Sequence, residues 1–256
     1  MSFQFASASK QHLSRDKVVY SVPLTMYCEA MPFQTNAHNI VFAQSTPPGA
    51  RKPWYTIWFS DGGKIWAYKK DYAETDYGVA EAPISYAANT WYRIAATFGD
   101  DVVVWVNGGN RAAAGVACSA ESDITYINIG YRWWGGAINE FNGRVCNCAI
   151  WPVVLTDAQC ISLTGGQLLP EEIRPDVLAG FWPGGGRYGR NYLDFSPRRP
   201  QSPMTPYNGP TWGSDPWRRS PSRRLVVPAA AATTVGQPTI KRFGGIPFMA
   251  MNRGVW

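Results

Sequence analysis

The sequence predicts an all-β protein: two antiparallel sheets packed face to face as a jelly-roll-like sandwich, followed by an extended C-terminal arm. Three observations carry this reading. Short runs rich in β-branched and aromatic residues fill residues 1–150, and turn residues separate them at close intervals. Helical periodicity is almost absent. Charge and proline then divide the chain. Residues 1–180 hold 13 Lys+Arg against 16 Asp+Glu, whereas residues 181–256 hold 11 against 2, with 11 of the 20 prolines.

In chain order, Leu24, Met26, Cys28 and Ala30 place an apolar or small residue at every second position, the period of a half-buried strand. Trp54–Phe59, Ile65–Tyr68, Trp91–Phe98, Val102–Val106, Ile124–Ile129 and Val145–Trp151 are further strands. Asp61-Gly62-Gly63, Gly99-Asp100-Asp101, Asn107-Gly108-Gly109 and Gly135-Gly136 supply the turns between them. One short helix is expected at Thr156-Asp157-Ala158-Gln159. There Thr156 can accept from a backbone N–H, Gln159 can reach back, and Gly165-Gly166 can end the helix. Val177–Trp182 reads as one more short strand. From Pro183 onward the chain is rich in Gly, Pro, Arg and Ser, and residues 196–224 read as an extended strap.

Composition excludes several classes. A chain that is 45% hydrophobic, 14% aromatic and only 16% charged is neither mostly disordered nor a coiled coil. No run reaches the roughly 18–20 apolar residues of a membrane-spanning helix, so no membrane partner is expected. The opening MSFQFASASKQHLS has no basic stretch followed by an apolar run, so no secretory signal is expected. Five cysteines, Cys28, Cys118, Cys146, Cys148 and Cys160, are an odd number and do not suggest a disulfide framework. Only Cys146 and Cys148 are close in sequence, and His12 and His38 are the only histidines. The thiols are therefore read as small buried hydrophobes, with no metal and no cofactor.

Two stretches resemble a known family. The first is Trp91-Tyr92-Arg93-Ile94-Ala95-Ala96-Thr97-Phe98 with Val102-Val103-Val104-Trp105-Val106-Asn107-Gly108. The second is Ile127-Asn128-Ile129-Gly130, then Phe141-Asn142-Gly143-Arg144-Val145, then Ala149-Ile150-Trp151 and Leu155-Thr156-Asp157-Ala158-Gln159. Their order and spacing are similar to those of the laminin-G-like branch of the concanavalin A-like lectin/glucanase sandwiches. Phe3-Gln4-Phe5 resembles that family's first strand. Leu178-Ala179-Gly180-Phe181-Trp182-Pro183, Asp194-Phe195-Ser196 and Gly209-Pro210-Thr211-Trp212 resemble its terminal strand and loop. The resemblance covers residues 1–217. It implies a concanavalin A-like sandwich in which Val145, Cys148, Ile150 and Cys160 are buried. The expected domains are a sandwich over 1–217 and a basic, then apolar, arm over 218–256.

Catalysis is not expected. Glucanases of the superfamily place paired carboxylates on one strand, and no Glu-x-Asp-x-x-Glu pattern occurs here. Glu74 and Asp76 stand two apart within a polar stretch, and Glu171-Glu172 follow Pro170 as a surface turn. Asp61, Asp71, Asp76 and Asp123 lack calcium-loop spacing. The candidate contact cluster is Tyr131, Arg132, Trp133, Trp134 and Asn139, where aromatic rings can stack on sugar faces and amides can meet hydroxyls. It would serve a glycan or a protein contact.

The candidate docking residues of the arm are Arg218, Arg219, Arg223, Arg224, Arg242, Phe243, Ile246, Phe248, Met251 and Trp256. The apolar members would be costly to leave in water. Tyr207, Trp212 and Trp217 interleave with arginines in a pattern compatible with weak phosphate binding, but no nucleic-acid module is present. The last residues resemble the ends of some phage-encoded virion proteins. The expected function is therefore a non-enzymatic capsid decoration or cement protein on the exterior of a virion. Its expected partners are the major capsid protein or other virion subunits, together with further copies of itself. The alternatives are a carbohydrate-binding adsorption module at a cell surface, with a glycan as partner, and a glucanase that has lost its carboxylates.

Overall fold

Alternation along β3 (Leu24–Pro32) divides its side chains between two environments. Leu24, Met26, Cys28 and Ala30 enter the main core, while Tyr27 faces the opposite way into a second apolar cluster. β9 (Val102–Val106) behaves alike, with Val102, Val104 and Val106 inward and Val103 and Trp105 outward. This period-two division is what a sheet covered on both faces requires. The computed structural model describes residues 2–16, 22–35, 38–46, 54–70, 77–118, 124–131, 140–184, 192–197 and 203–213. The chain has two compact units, Met1–Arg218 and Arg219–Trp256. All the elements below belong to the first, and the second lies outside the described residues.

The first sheet has the order β10 (Asn110–Ala113), β9, β8 (Tyr92–Phe98), β3, β12 (Gly143–Trp151), β1 (Ser2–Phe5) and β15 (Thr211–Gly213), with β13 (Gly180–Trp182) also paired to β12. The second has the order β14 (Thr205–Tyr207), β2 (His12–Asp16), β11 (Tyr126–Ile129), β4 (Asn39–Ser45), β5 (Trp54–Phe59), β6 (Lys64–Lys70) and β7 (Tyr77–Ser85). Neighbouring strands are antiparallel, as expected of a jelly-roll-like sandwich. Phe3, Phe5, Leu13, Phe42, Ile57, Phe59, Phe98, Ile127, Phe141 and Trp182 fill the space between the sheets. Each contributes roughly 1.5–3 kcal/mol by leaving water.

The helix α1 (Asp157–Thr164) has the expected capping box. The Gln159 N–H donates to Thr156 Oγ1 at 3.3 Å, and the Thr156 N–H donates to Gln159 Oε1 at 2.9 Å. Its buried face, Cys160 and Leu163, closes the second cluster with Tyr27, Trp105, Trp151 and Phe181. That cluster covers the outer face of the first sheet.

Three details differ from the sequence reading. Val177 is in a turn, not a strand, because its N–H and that of Leu178 both donate to Arg174 O at 3.0 Å; pairing starts at Gly180. Within the strap, Thr205–Tyr207 forms an unexpected edge strand, β14, against β2, whereas β15 pairs with β1 at the other sheet's edge, where the family likeness implied a terminal strand. Cys118 is half-buried, whereas the other four cysteines are buried, and no disulfide joins any of the five. The expected burial of Val145 together with Cys148 and Ile150 holds, although strict alternation would put them on opposite faces. A bulge between Cys146 and Ala149, with Asn147 at φ 52°, shifts the register by one. Cys146 is left outside the main core, beside Glu29.

Candidate functional site

On β2, Leu13 enters the core, so His12 and Ser14 face outward. On β11, Ile127 and Ile129 enter the core, so Tyr126 and Asn128 face outward. Register brings these side chains together: His12 lies opposite Tyr207, Ser14 opposite Asn128, and Tyr126 opposite Ser45. Together with Thr46 and Tyr131 they line a cleft of about 200 Å³ on the outer face of the second sheet. Gly130, at φ 82°, turns the chain at the end of β11. A side chain there would also press on the Phe5 ring, with its Cβ 3.1 Å away. The turn seats Tyr131 over His12.

Three rings form a continuous stack across the strands. The His12 and Tyr131 centroids are 4.3 Å apart with planes at 17°, and His12 and Tyr207 are 4.5 Å apart at 8°. Tyr131 is buried, whereas Tyr207 keeps 46% of its surface exposed. His12 Nδ1 lies 3.1 Å from Lys10 O, which fixes the proton on Nδ1 and leaves Nε2 as an acceptor. Burial lowers the His12 pKa, partly opposed by the bond to Lys10, so the ring is neutral at pH 7. Burial, with the Glu140 carboxylate second, raises the Tyr131 phenol. Burial also raises Glu140, with Lys10 opposing. Asn128 donates from Nδ2 to Ser45 Oγ at 2.9 Å. Tyr126, Tyr207 and Ser14 keep their hydroxyls available to a ligand. The cleft can therefore stack a flat face and exchange several neutral hydrogen bonds.

Of the five cluster residues expected from sequence, Tyr131 alone is described, and it belongs to this cleft. It is a buried wall residue, not a loop tip. Arg132, Trp133, Trp134 and Asn139 lie outside the described residues, as do all ten arm residues from Arg218 to Trp256. Sequence reasoning missed His12, Ser14, Thr46, Tyr126 and Asn128, and read Tyr207 as part of the proline-rich strap at the end of the expected sandwich. Their signal was the polar half of two alternating strands, His12/Ser14 and Tyr126/Asn128. The pairing that joins them spans more than a hundred residues.

Other buried polar groups hold the fold. Asp194 Oδ1 accepts from the Phe181 and Ser196 N–H groups at 2.9 and 2.8 Å, and its Oδ2 lies 3.4 Å from Arg15. Burial raises its pKa against those bonds. This pins the closing loop to β13 and accounts for the Asp194-Phe195-Ser196 motif. Glu29 accepts from Tyr27 Oη at 2.9 Å and lies 3.6 Å from Arg93 Nε. Glu171 and Glu172 belong to a short 3-10 turn, Pro170–Glu172, as expected. Glu74, Asp71, Asp76 and Asp123 lie outside the described residues. Among the described residues no three His, Cys, Asp or Glu side chains are grouped to hold a metal, and no helix is long and apolar enough to cross a membrane.

The sandwich is similar to known structures. A provisionally assigned carbohydrate-binding protein from Bacteroides ovatus aligns with a TM-score of 0.53 at 14% identity, over 82% of this chain and 60% of that one. The enzymatically active domain of tailspike protein 2 of bacteriophage CBA120 aligns with a TM-score of 0.52 at 12% identity, over 72% of this chain and 31% of that one. A heptameric SAP-like pentraxin from Limulus polyphemus aligns with a TM-score of 0.48 at 17% identity, over 64% and 80%. At these identities the likeness is one of fold. No curated protein matches the sequence. A laminin G family model matches residues 7–160, from the turn after β1 into α1 and more than half of the chain. With the two-sheet topology in place, the chain belongs to the concanavalin A-like lectin/glucanases superfamily.

Proposed function

We propose that this protein is a non-catalytic, lectin-like binding module that holds a sugar unit in the cleft between β14, β2 and β11. The observation that carries the reading is the Tyr131–His12–Tyr207 stack, set among the hydroxyl and amide groups of Ser14, Thr46, Tyr126 and Asn128. Sugars combine apolar C–H faces with hydroxyl edges, and such a wall answers both. Among the described residues, the carboxylates flanking the cleft, Asp16 and Glu140, stand toward opposite ends of it. Asp16 ends β2, four residues beyond His12, which is about 13 Å of strand. Glu140 acts on Tyr131, at the His12 end. Glycosidases need the two groups within about 9.5 Å.

A glycan array with the full chain tests the reading. Binding to at least one glycan is expected, together with no release of reducing sugar. Tyr207→Ala removes an exposed stacking face while leaving the core intact, so affinity should fall about 3- to 10-fold without loss of the folded state. The Trp133→Ala, Trp134→Ala double variant measures any share taken by the adjoining segment. Silence across the array ends the proposal.

A second reading places the sandwich on the exterior of a phage particle as a capsid decoration protein. The basic, proline-rich and then apolar C-terminal sequence supports it. The two readings are compatible, because the arm and the cleft are separate parts of the chain.

A further inference from the structure

Two groups of the cleft can only accept, and a ligand must answer both with donors. His12 gives its Nδ1 proton to Lys10 O, so its remaining nitrogen can only accept. Asn128 gives one of its two Nδ2 protons to Ser45 Oγ and keeps the other, while its Oδ1 can only accept. The hydroxyls of Ser14, Tyr126 and Tyr207 can donate or accept. A ligand that satisfies all of these must bring O–H donors of its own. Facing either acceptor with another acceptor would strip it of water with no bond in return.

Among the described residues, two carboxylates flank the cleft. Asp16 extends β2 on the face that carries His12 and Ser14, and lies opposite Tyr126 in the sheet. Glu140 lies close enough to raise the Tyr131 phenol. Among the described residues, Lys10 is tied to the stack: its carbonyl holds His12 and its ammonium acts on Glu140. Burial keeps His12 itself uncharged.

We infer that the cleft selects an uncharged, hydroxyl-rich sugar unit and discriminates against anionic sugars such as sialic and uronic acids. The inference rests on the sugar-binding reading of the cleft and adds the substrate class. A neutral sugar offers a donor at each hydroxyl and an apolar face to the ring stack. A carboxylate or sulfate offers acceptors alone, which cannot answer His12 Nε2 or Asn128 Oδ1, and it approaches a cleft flanked by Asp16 and Glu140.

The test uses the full chain on an array of matched pairs: lactose and N-acetyllactosamine beside their sialylated, sulfated and glucuronylated counterparts. The strongest neutral hit is then titrated by calorimetry at about 0.02 and about 0.5 M NaCl, a range over which exposed charge pairs are screened. The expected result is binding to neutral members, weaker binding to acidic partners by at least about tenfold, and an affinity that changes by less than about twofold with salt. Acidic members bound as well as or better than neutral ones, with affinity falling as salt rises, would overturn the inference and leave the sugar-binding reading standing. An array with no hit overturns both.

Discussion

His12 carries the sharpest residue-scale consequence. Its ring sits between two phenols, and burial holds its pKa below the ordinary histidine value. Unfolding releases the ring into water, where it titrates near 6.5. Above that pH neither state is protonated at His12, and the contribution to stability is constant. As pH falls through 6.5 the unfolded chain takes up the proton first, so stability is lost until the lowered folded pKa is passed. Urea unfolding at pH 7.5 and pH 5, compared with His12→Gln, isolates this term. The loss on acidification should be larger in the parent than in the variant; equal losses would show that His12 does not titrate as its burial requires. The carboxylates titrate in both proteins, and their contribution cancels in the comparison.

Some single residues were legible because a motif and its cause coincide. In the Phe141-Asn142-Gly143-Arg144-Val145 stretch, a Cβ on Gly143 would overlap Met31 O and would lie 2.7 Å from the Phe141 ring. The motif is thus a close approach between β12, β3 and an aromatic ring. His12 was different. A histidine alternating with Leu13 on an early strand says only that it faces outward. That it meets Tyr131 and Tyr207 depends on pairings 119 and 195 residues distant along the chain, which alternation cannot encode.

At the scale of elements, hairpins and the helix follow from local rules. The β9–β10 hairpin turns at Asn107, Gly108 and Gly109 as their residue types require. α1 starts at its capping box, and both reciprocal bonds are formed. Thr156→Ala should remove one of them and cost about 1 kcal/mol. Denaturant unfolding should show a lower midpoint with an unchanged slope, since the helix stays docked through Cys160 and Leu163. An unchanged midpoint would mean that packing alone fixes the helix start. The short edge strands were less legible. β14 and β15 have three residues each, and β14 contains Pro206. Proline suits an edge, where one N–H has no neighbour to bond. In the sequence the same residues look like a continuation of the proline-rich strap. Their place in the two sheets depends on β2 and β1, some two hundred residues earlier.

At the scale of the whole molecule, the change in composition near residue 180 falls inside the sandwich. The chain uses residues up to Gly213 for its last strand, so part of the basic half belongs to the domain. The last segment, residues 236–256, has a different chemistry: Phe243, Ile246, Phe248, Met249, Met251 and Trp256 alternate with glycine and a few cations. Burial of each of the large side chains contributes roughly 1.5–3 kcal/mol. A segment that seats several of them on a neighbouring subunit can therefore hold a particle contact, with the arginines setting orientation at its rim. Under the capsid-decoration reading, removing residues 236–256 should abolish binding to the particle, as measured by co-sedimentation. The melting transition of the sandwich should not move, because the main core is complete without them. Undiminished particle binding would refute the docking role. A lowered melting temperature would show instead that the segment packs on its own sandwich, and the cleft would then be the one binding surface left to explain.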